Sequence, residues 1–272
     1  MWGRRSRFSG VSYCVLDPGN VPEVRTVTRF PYQDQVGGDS KIPTIVYYDR
    51  DDNVVAVGAE AVKEGTEGVA EEEGWNKAEW FKLHLRPGRM AAGLLSQGPQ
   101  IPSLPPNKTV VQIFADFLVY LFRCTKRYIQ ETEANGQTLW DSLKNSIQFV
   151  ITHPNGWEGY QQHQLRKSAV LANLIPDTPE GWGRVTFVTE GEASLHFCVQ
   201  NGLTDLVKEK NQGVLIVGGG GGTVDLSSYR YNTEVKSFEE TAVPECHFQG
   251  SVFVTNRAKE HLDSECPRTV FN

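Results

Sequence analysis

The sequence has no long apolar run and no excess of basic residues, and each absence excludes a class of protein. The longest apolar stretch, residues 113–122, is interrupted by Asp116 and falls far short of the roughly 20 residues of a membrane span. The formal net charge is −6, so the composition offers no electrostatic attraction for nucleic acid. We therefore expect neither a membrane nor a nucleic acid as partner.

The chain also lacks a disulfide framework and a secretory leader. Its 5 cysteines are odd in number and scattered, which suits a reducing compartment. No apolar segment follows Met1-Trp2-Gly3-Arg4-Arg5, so no signal peptide is predicted. The spacing of Cys246, His247, His261 and Cys266 matches no standard zinc template. With 39% hydrophobic and 22% charged residues, the composition is typical of a soluble globular protein with a sizeable core. Together with the cysteines, this favours a cytoplasmic location.

The strongest positive feature is a run of glycines at residues 218–222, followed by Thr223 and Asp225. Apolar residues 214–217 before it predict a buried strand, and residues 226–231 after it predict a returning strand. Glycine lets N–H groups approach an anion, Thr adds a hydroxyl donor, and Asp can hold Mg²⁺ directly or through water. The pattern predicts a phosphate-binding hairpin. It is neither a P-loop nor a dinucleotide fingerprint, and four framing aliphatic residues argue against a flexible linker.

This run resembles the second phosphate motif of the actin-like ATPase superfamily, Asp-x-Gly-Gly-Gly-Thr-x-Asp, over residues 218–225. The superfamily includes actin, sugar kinases and the 70-kilodalton heat-shock chaperones. Four more segments resemble the chaperone branch in the divergent form seen in fungi: residues 8–13, 149–155, 188–194 and 246–251. Their order and spacing hold from residue 8 to about 262, so the resemblance covers nearly the whole chain.

The chain departs from the family pattern at both ends of the module and within the glycine run. The first motif of the family, Asp-x-Gly-Thr-Thr, would precede Phe8, where residues 2–7 read Trp-Gly-Arg-Arg-Ser-Arg. Gly218 stands where the second motif has Asp, and the later adenosine-binding motif has no counterpart. We therefore expect a nucleotide-binding module truncated at both ends, as a truncated paralogue or a gene-prediction error would give.

The resemblance implies an α/β fold of two ribonuclease-H-like lobes, each with a mixed sheet flanked by helices. Residues 1–200 would form the first lobe, with an insert at about residues 35–107. Residues 201–272 would begin a second, incomplete lobe that carries the glycine hairpin.

Several elements follow from the residue pattern itself. Apolar residues at helical spacing over residues 110–122 predict a core helix. After a strand at residues 147–152, Asn155 is predicted to cap a helix over residues 157–174, with Glu158 completing the cap. His153 is interpreted as a structural turn residue rather than a base. Two further helices are predicted over residues 190–200 and 251–262.

The resemblance also implies roles for individual residues around bound Mg²⁺ and ATP or ADP. The phosphate contacts would come from Gly219, Gly220, Gly221, Gly222 and Thr223, with Ser9 and Gly250 adding to them. Asp225 would hold Mg²⁺ or its water, Glu190 would orient the attacking water, and Lys82 would reach the γ-phosphate. The alternatives are a surface lysine beside Trp80 and Phe81, and a glutamate, Glu190 or Glu192, favoured by a helix N-terminus.

The expected function is that of an ATP-binding, chaperone-like protein with impaired hydrolysis. The metal cage lacks two carboxylates of the family, and one missing contact of this kind costs on the order of 10²–10³ in rate. By resemblance, unfolded proteins or co-chaperones are further expected partners. The alternative is a non-catalytic paralogue or gene fragment that acts through protein contacts or has no function. A sugar kinase is a third and weaker reading, because no sugar-binding motif is recognisable.

Overall fold

The computed structural model describes residues 8–35, 40–87, 101–203, 205, 207, 213–247 and 249–265. Over these ranges the chain is a mixed α/β protein, built from several small sheets with helices between and beside them. The α/β class predicted from the sequence is confirmed. The segment at residues 2–7, where the first phosphate motif is missing, and Cys266 lie outside the described residues.

The helices and strands are numbered in chain order. The helices are α1 (Thr66–Glu73), α2 (Val110–Thr132), α3 (Gly136–Leu143), α4 (Gly159–Leu171), α5 (Pro179–Trp182), α6 (Glu190–Gln200) and α7 (Ser251–Glu265). The strands are β1 (Phe8–Ser9), β2 (Ser12–Tyr13), β3 (Arg25–Thr26), β4 (Ile42–Pro43), β5 (Ile45–Tyr48), β6 (Val54–Val57), β7 (Asn76–Glu79), β8 (Phe149–His153), β9 (Val185–Thr189), β10 (Gly213–Gly219), β11 (Val224–Asn232), β12 (Ser237–Glu240) and β13 (Glu245–His247). Within the described ranges, no helix combines the length and the apolar character that crossing a membrane requires.

The long helix α2 begins where its apolar spacing predicts. Thr109 caps it: the Gln112 N–H donates to the Thr109 hydroxyl at 3.3 Å, and the Thr109 N–H donates to the Gln112 side chain at 2.8 Å. This capping box satisfies two backbone donors that the helix cannot pair itself. The helix continues past the predicted stripe as far as Thr132, and Ile113 and Phe117 on its inner face are buried.

The main core lies between α2 and the antiparallel sheet β6-β5-β7. The 3₁₀ turn Phe81–Leu85 joins this core through Phe81, which is fully buried. The Phe81 ring meets the rings of Phe114 and Phe117 edge-on, with centroids 5.0 and 6.0 Å apart. The packing of Phe81 therefore fixes the turn that carries Lys82. The fully buried members of this core are Val27, Ile42, Val46, Tyr48, Phe81 and Ile113.

A parallel pair of strands, β8 and β9, forms the second structural unit, with α4 and α5 in the connection between them. Helix α6 follows β9 directly, and the Thr189 hydroxyl caps it by accepting the Glu192 N–H at 3.1 Å. The prediction of a helix over residues 190–200 is confirmed. His153 ends β8 fully buried, between the carbonyl of Pro154 and the side chain of Gln162, in line with a structural role.

The predicted cap of α4 is wrong. The helix begins at Gly159 and ends at Leu171, and Glu158 with Gln161 forms its capping box. Asn155 lies earlier in the turn, and its side chain donates to the carbonyl oxygen of Leu226 and to the Ser227 hydroxyl. A cap residue uses its side-chain oxygen on its own helix. Asn155 instead uses its side chain on a strand that is distant in sequence.

The last unit is a four-stranded antiparallel sheet in which β11 pairs with β10, β12 and β13. Helix α6 packs against β10 and β11, so this sheet lies next to the β8–β9 unit. Helix α7 follows β13 and begins at Ser251, as predicted, and it ends at Glu265.

Candidate functional site

The glycine hairpin consists of β10, a tip at residues 220–223 and β11. The two strands pair antiparallel, with Gly219 opposite Val224 and Gly218 opposite Asp225. The Gly220 N–H donates to the Thr223 carbonyl at 2.8 Å and closes the tip. The strand–glycine–strand order is therefore confirmed, but the predicted burial of the first strand is wrong, because its side chains alternate and Leu215 and Val217 are exposed.

The tip offers backbone donors. Among the described residues, no acceptor is bonded to the N–H groups of Gly221, Gly222 and Thr223. Successive backbone N–H groups in a turn can form an anion-binding concavity, called a nest. All three are predicted phosphate contacts, and Gly222 and Thr223 are themselves buried.

Gly250 and the start of α7 close over the tip. The Ser251 N–H donates to the Gly220 carbonyl at 3.1 Å, and the Val252 N–H donates to the Gly221 carbonyl at 2.9 Å. A Cβ atom on Gly250 would lie 2.5 Å from the Gly222 nitrogen, so only glycine permits this approach. Gly250 is therefore placed beside the hairpin, where the packing alone explains a glycine. The first donors of α7 are used on the tip itself.

Asp225 lies at the base of the hairpin and is only 2% exposed. Its Oδ1 accepts the Asn155 N–H at 2.8 Å, and the Thr223 hydroxyl and the Cys246 thiol also donate to its carboxylate. Burial raises the pKa of Asp225, and the nearby charge of Glu190 adds to that rise, while the three donors oppose it. The Thr223 hydroxyl, predicted as a phosphate donor, is thus engaged with Asp225.

Lys82 and Glu190 form an ion pair beside this carboxylate. Their side chains are 26% and 36% exposed, so solvent reaches both. Lys82 lies on the 3₁₀ turn anchored by Phe81, and Glu190 is the first residue of α6. The Lys82 ammonium also lies 5.9 Å from the centre of the Trp157 ring. The same contacts also fit the alternative of a surface lysine beside packed Trp80 and Phe81, since Phe81 is fully buried and Trp80 is partly buried.

The thiol of Cys246, which pairs with Asp225 across β13 and β11, is buried beside these groups. Burial raises its pKa most strongly, the charges of Asp225 and Glu190 raise it further, and the charge of Lys82 lowers it. The Lys82–Glu190 ion pair, and the approach of Gly191 to Ser227, two residues from Asp225 on β11, bring these parts of the chain together.

The contacts of Ser9 that the structure describes lie outside this group. Its hydroxyl pairs with the Thr44 hydroxyl at 2.8 Å, and its backbone pairs with Ile42 in the β1–β4 ladder. Glu192, the other acidic residue in the first turn of α6, is exposed, and its Oε1 lies 3.9 Å from Nε2 of His196. Of the two acidic residues at the start of α6, only Glu190 is linked to the site.

A resident metal ion does not fit this donor set. The described part of the chain contains no group of three or more His, Cys, Asp or Glu side chains placed to hold one. The Asp225 carboxylate is buried and accepts three hydrogen bonds, and the Glu190 carboxylate is paired with Lys82. Gly218, directly opposite Asp225, supplies no second carboxylate. A Mg²⁺ ion would have to take its ligands mainly from water and phosphate.

Two residues of the site were missed in the sequence. Asn155 binds the strand of Asp225, and Cys246 donates to the Asp225 carboxylate. Asn155 stands between Pro154 and Gly156, a pattern that reads as a turn. The alternation of β11 places Asp225 and Ser227 on its buried face, and buried polar residues of this kind require partners. That requirement was the available signal.

A scan of the chain against protein-family models finds no match, and a comparison with curated protein sequences finds none either.

Proposed function

We propose that the glycine hairpin binds the phosphate groups of ATP or ADP, and that the chain is a chaperone-like protein of the actin-like ATPase superfamily with impaired hydrolysis. The single observation that carries the proposal is the meeting of Lys82 and Glu190, 108 residues apart in sequence, next to Asp225 at the base of the hairpin. The resemblance had assigned these three residues to one site.

The proposed architecture has two lobes, with residues 1–200 in the first and residues 201–272 beginning an incomplete second. Two observations support it: β8 and β9 form a sheet separate from that of β10–β13, and α6 contacts both units. Lys82 comes from the proposed first lobe and the hairpin from the proposed second. A nucleotide bound here would lie between them.

Each residue has a defined part in binding. The N–H groups of Gly221, Gly222 and Thr223 would donate to phosphate oxygens, with Gly219 and Gly220 shaping the approach. Phosphate is a second anionic partner for Lys82, so binding would draw the ammonium away from Glu190. The freed Glu190 carboxylate could then orient a water molecule. Mg²⁺ that arrives with the nucleotide would screen the phosphate charge.

The same geometry supports the proposal of impaired hydrolysis. Gly218 faces Asp225 across the hairpin, so one carboxylate stands where the family motif has a pair. Asp225 itself is satisfied by donors from the protein. A site of this kind holds phosphate without a full metal cage. Unfolded proteins or co-chaperones and a cytoplasmic location belong to the proposal by resemblance alone.

The test is thermal unfolding with and without Mg·ATP. Ligand at about 100 times its dissociation constant adds roughly 2.7 kcal/mol, which raises the midpoint by roughly 2–4 °C in a chain of this size. Gly221→Asp places a negative charge at the tip and should abolish the shift. Gly68→Asp is the matched control, because Gly68 lies on α1 with open space around it and should keep the shift.

The outcomes separate the proposal from its alternative. A shift that is present in the parent and in Gly68→Asp but absent in Gly221→Asp supports nucleotide at the hairpin. A cooperatively unfolding parent without any shift would sink the proposal and favour a non-catalytic paralogue. Steady-state turnover comparable with an intact chaperone of the family would contradict impaired hydrolysis.

A further inference from the structure

Asn155 connects the β8–β9 unit to the glycine hairpin through both its backbone and its side chain. It is fully buried and follows β8. Its Nδ2 donates to the Leu226 carbonyl at 3.1 Å, the Ser227 hydroxyl at 2.9 Å and the Glu245 carbonyl at 3.3 Å. Its N–H donates to Asp225. One side chain thus ties β13 and the two residues of β11 that directly follow Asp225 to the end of β8.

The start of α6 is fitted to the same contact. A Cβ atom on Gly191 would lie 2.1 Å from the Ser227 hydroxyl and 3.2 Å from Asn155 Oδ1. A side chain at position 191 would therefore displace Ser227, the acceptor of Asn155. Because Gly191 follows Glu190 in the chain, this close approach also sets the distance between the Glu190 and Asp225 segments.

We infer that Asn155 is a positioning residue of the nucleotide site: its side chain locks the Asp225 segment of β11, together with β13, against β8. Removal of the amide leaves the Leu226 and Glu245 carbonyls and the Ser227 hydroxyl without this donor. The hairpin base then opens, and Cys246 on β13 loses its cover. The effect on nucleotide rests on the proposed function, whereas the lock itself can be measured without nucleotide.

The first experiment compares Asn155→Ala with Ser168→Ala. Ser168 is also fully buried, and its hydroxyl donates to the Val111 and Gln164 carbonyls, away from the site. The readout is the labelling rate of Cys246 by a thiol reagent, mapped by mass spectrometry because other cysteines are free. We expect labelling about tenfold faster in Asn155→Ala and within about twofold of the parent in Ser168→Ala.

The second readout is a spectroscopic signature that a general loss of stability would not move. The amide proton of residue 155 reports its hydrogen bond to the Asp225 carboxylate, which exists through the backbone in the parent and in Asn155→Ala. If the side chain holds Asp225 in place, this resonance, corrected for the intrinsic shift difference between Asn and Ala, moves upfield in Asn155→Ala and stays in place in Ser168→Ala. Ser227→Ala removes one acceptor only, and it provides a milder variant should Asn155→Ala fail to fold.

The third readout is the dissociation constant for Mg·ADP, measured by calorimetry on the same variants. We expect about tenfold weaker binding in Asn155→Ala and an unchanged value in Ser168→Ala. Unchanged labelling and an unmoved amide in a folded Asn155→Ala overturn the lock. Equal Mg·ADP affinity in that variant and the parent overturns the positioning role, although the proposed function survives. If the parent binds no Mg·ADP while labelling and the amide respond, the proposed function fails and the lock stands.

Discussion

The core around α2 and the sheet that carries the glycine hairpin differ in what their interiors contain. Around α2 the fully buried side chains are almost all apolar, with Ile42, Phe81 and Ile113 among them. On β11 the buried positions are Asp225, Ser227 and Tyr229, and two apolar residues of β10, Leu215 and Val217, are 64% and 59% exposed. The first region is held by packing, and the second by hydrogen bonds.

This difference has a physical consequence for function. Apolar burial is roughly proportional to area and has no direction, so it can hold a scaffold without specifying charge positions. A buried carboxylate is costly unless donors surround it, and those donors fix where it lies. Asp225 has donors from Asn155, Thr223 and Cys246. The hairpin is thus held in a defined arrangement by polar contacts rather than by apolar packing. The α2 core holds the turn that carries Lys82.

The largest expected effect comes from a substitution in the packed core around α2. Phe81→Ala removes a fully buried ring that meets Phe114 and Phe117. It should cost about 3–5 kcal/mol of unfolding free energy, since a cavity remains. Phe197→Ala is the matched control, because Phe197 on α6 is 67% exposed and should change stability by about 0.5 kcal/mol or less. Urea unfolding of both variants measures the difference, and equal losses would mean that the α2 core does not dominate stability.

The sequence predicts the elements of both regions better than the contacts between them. The stripe of α2, the helix at residues 190–200 and the two strands of the glycine hairpin follow from local periodicity and turn residues. The role of Asn155 does not, because its partners on β11 and β13 are 71 and 90 residues away. A Pro-Asn-Gly turn reads the same whether its amide caps a helix or binds a strand.

The same limit applies to the candidate site. Resemblance to a family motif grouped Lys82, Glu190 and Asp225, and nothing in their local sequence relates one to another. Thr223 illustrates the difference: its hydroxyl was predicted for phosphate, whereas Asp225 accepts it in the folded chain. Chemistry-bearing residues can be named from a motif, but their hydrogen-bond partners depend on tertiary packing.

The second prediction concerns a substitution that would clash with the backbone of the hairpin tip. Gly250→Ala would bring a Cβ atom within 2.5 Å of the Gly222 nitrogen and 2.6 Å of the Gly221 carbonyl carbon. Backbone atoms cannot rotate away, so we expect a loss of about 1–3 kcal/mol, with the tip displaced. Gly219→Ala is the control, because nothing lies within 4 Å of its added Cβ. Alanine there should leave stability unchanged or raise it by up to about 1 kcal/mol. Thermal unfolding that ranks the two variants in the opposite order would contradict the closeness of α7 to the tip.

The smallest expected effect concerns two carboxylates whose contributions to stability change in opposite directions with pH. Burial raises the pKa of Asp225 above its ordinary value of 3.8, whereas the Tyr13 hydroxyl and the Arg25 guanidinium lower the pKa of Glu133 below its ordinary value of 4.5. The folded state therefore holds the proton of Asp225 more tightly than the unfolded chain does, and that of Glu133 less tightly. A tenfold change in proton affinity corresponds to about 1.4 kcal/mol, which denaturant titrations resolve.

The signs follow directly. The stability that Asp225 contributes is complete below pH 3.8 and is lost as the pH rises through its folded pKa. The unfolding free energy of Asp225→Asn should therefore increase relative to that of the parent as the pH rises from about 3 to 7. The stability that Glu133 contributes is complete above pH 4.5 and is lost as the pH falls through its folded pKa. The unfolding free energy of Glu133→Gln should therefore decrease relative to that of the parent as the pH rises. Unfolding free energies of the parent and both variants across this range measure the two slopes. Slopes of the same sign would mean that Asp225 is not the desolvated carboxylate that distinguishes the hairpin from the rest of the molecule, because only an acid whose charged form is disfavoured by folding gives the first slope.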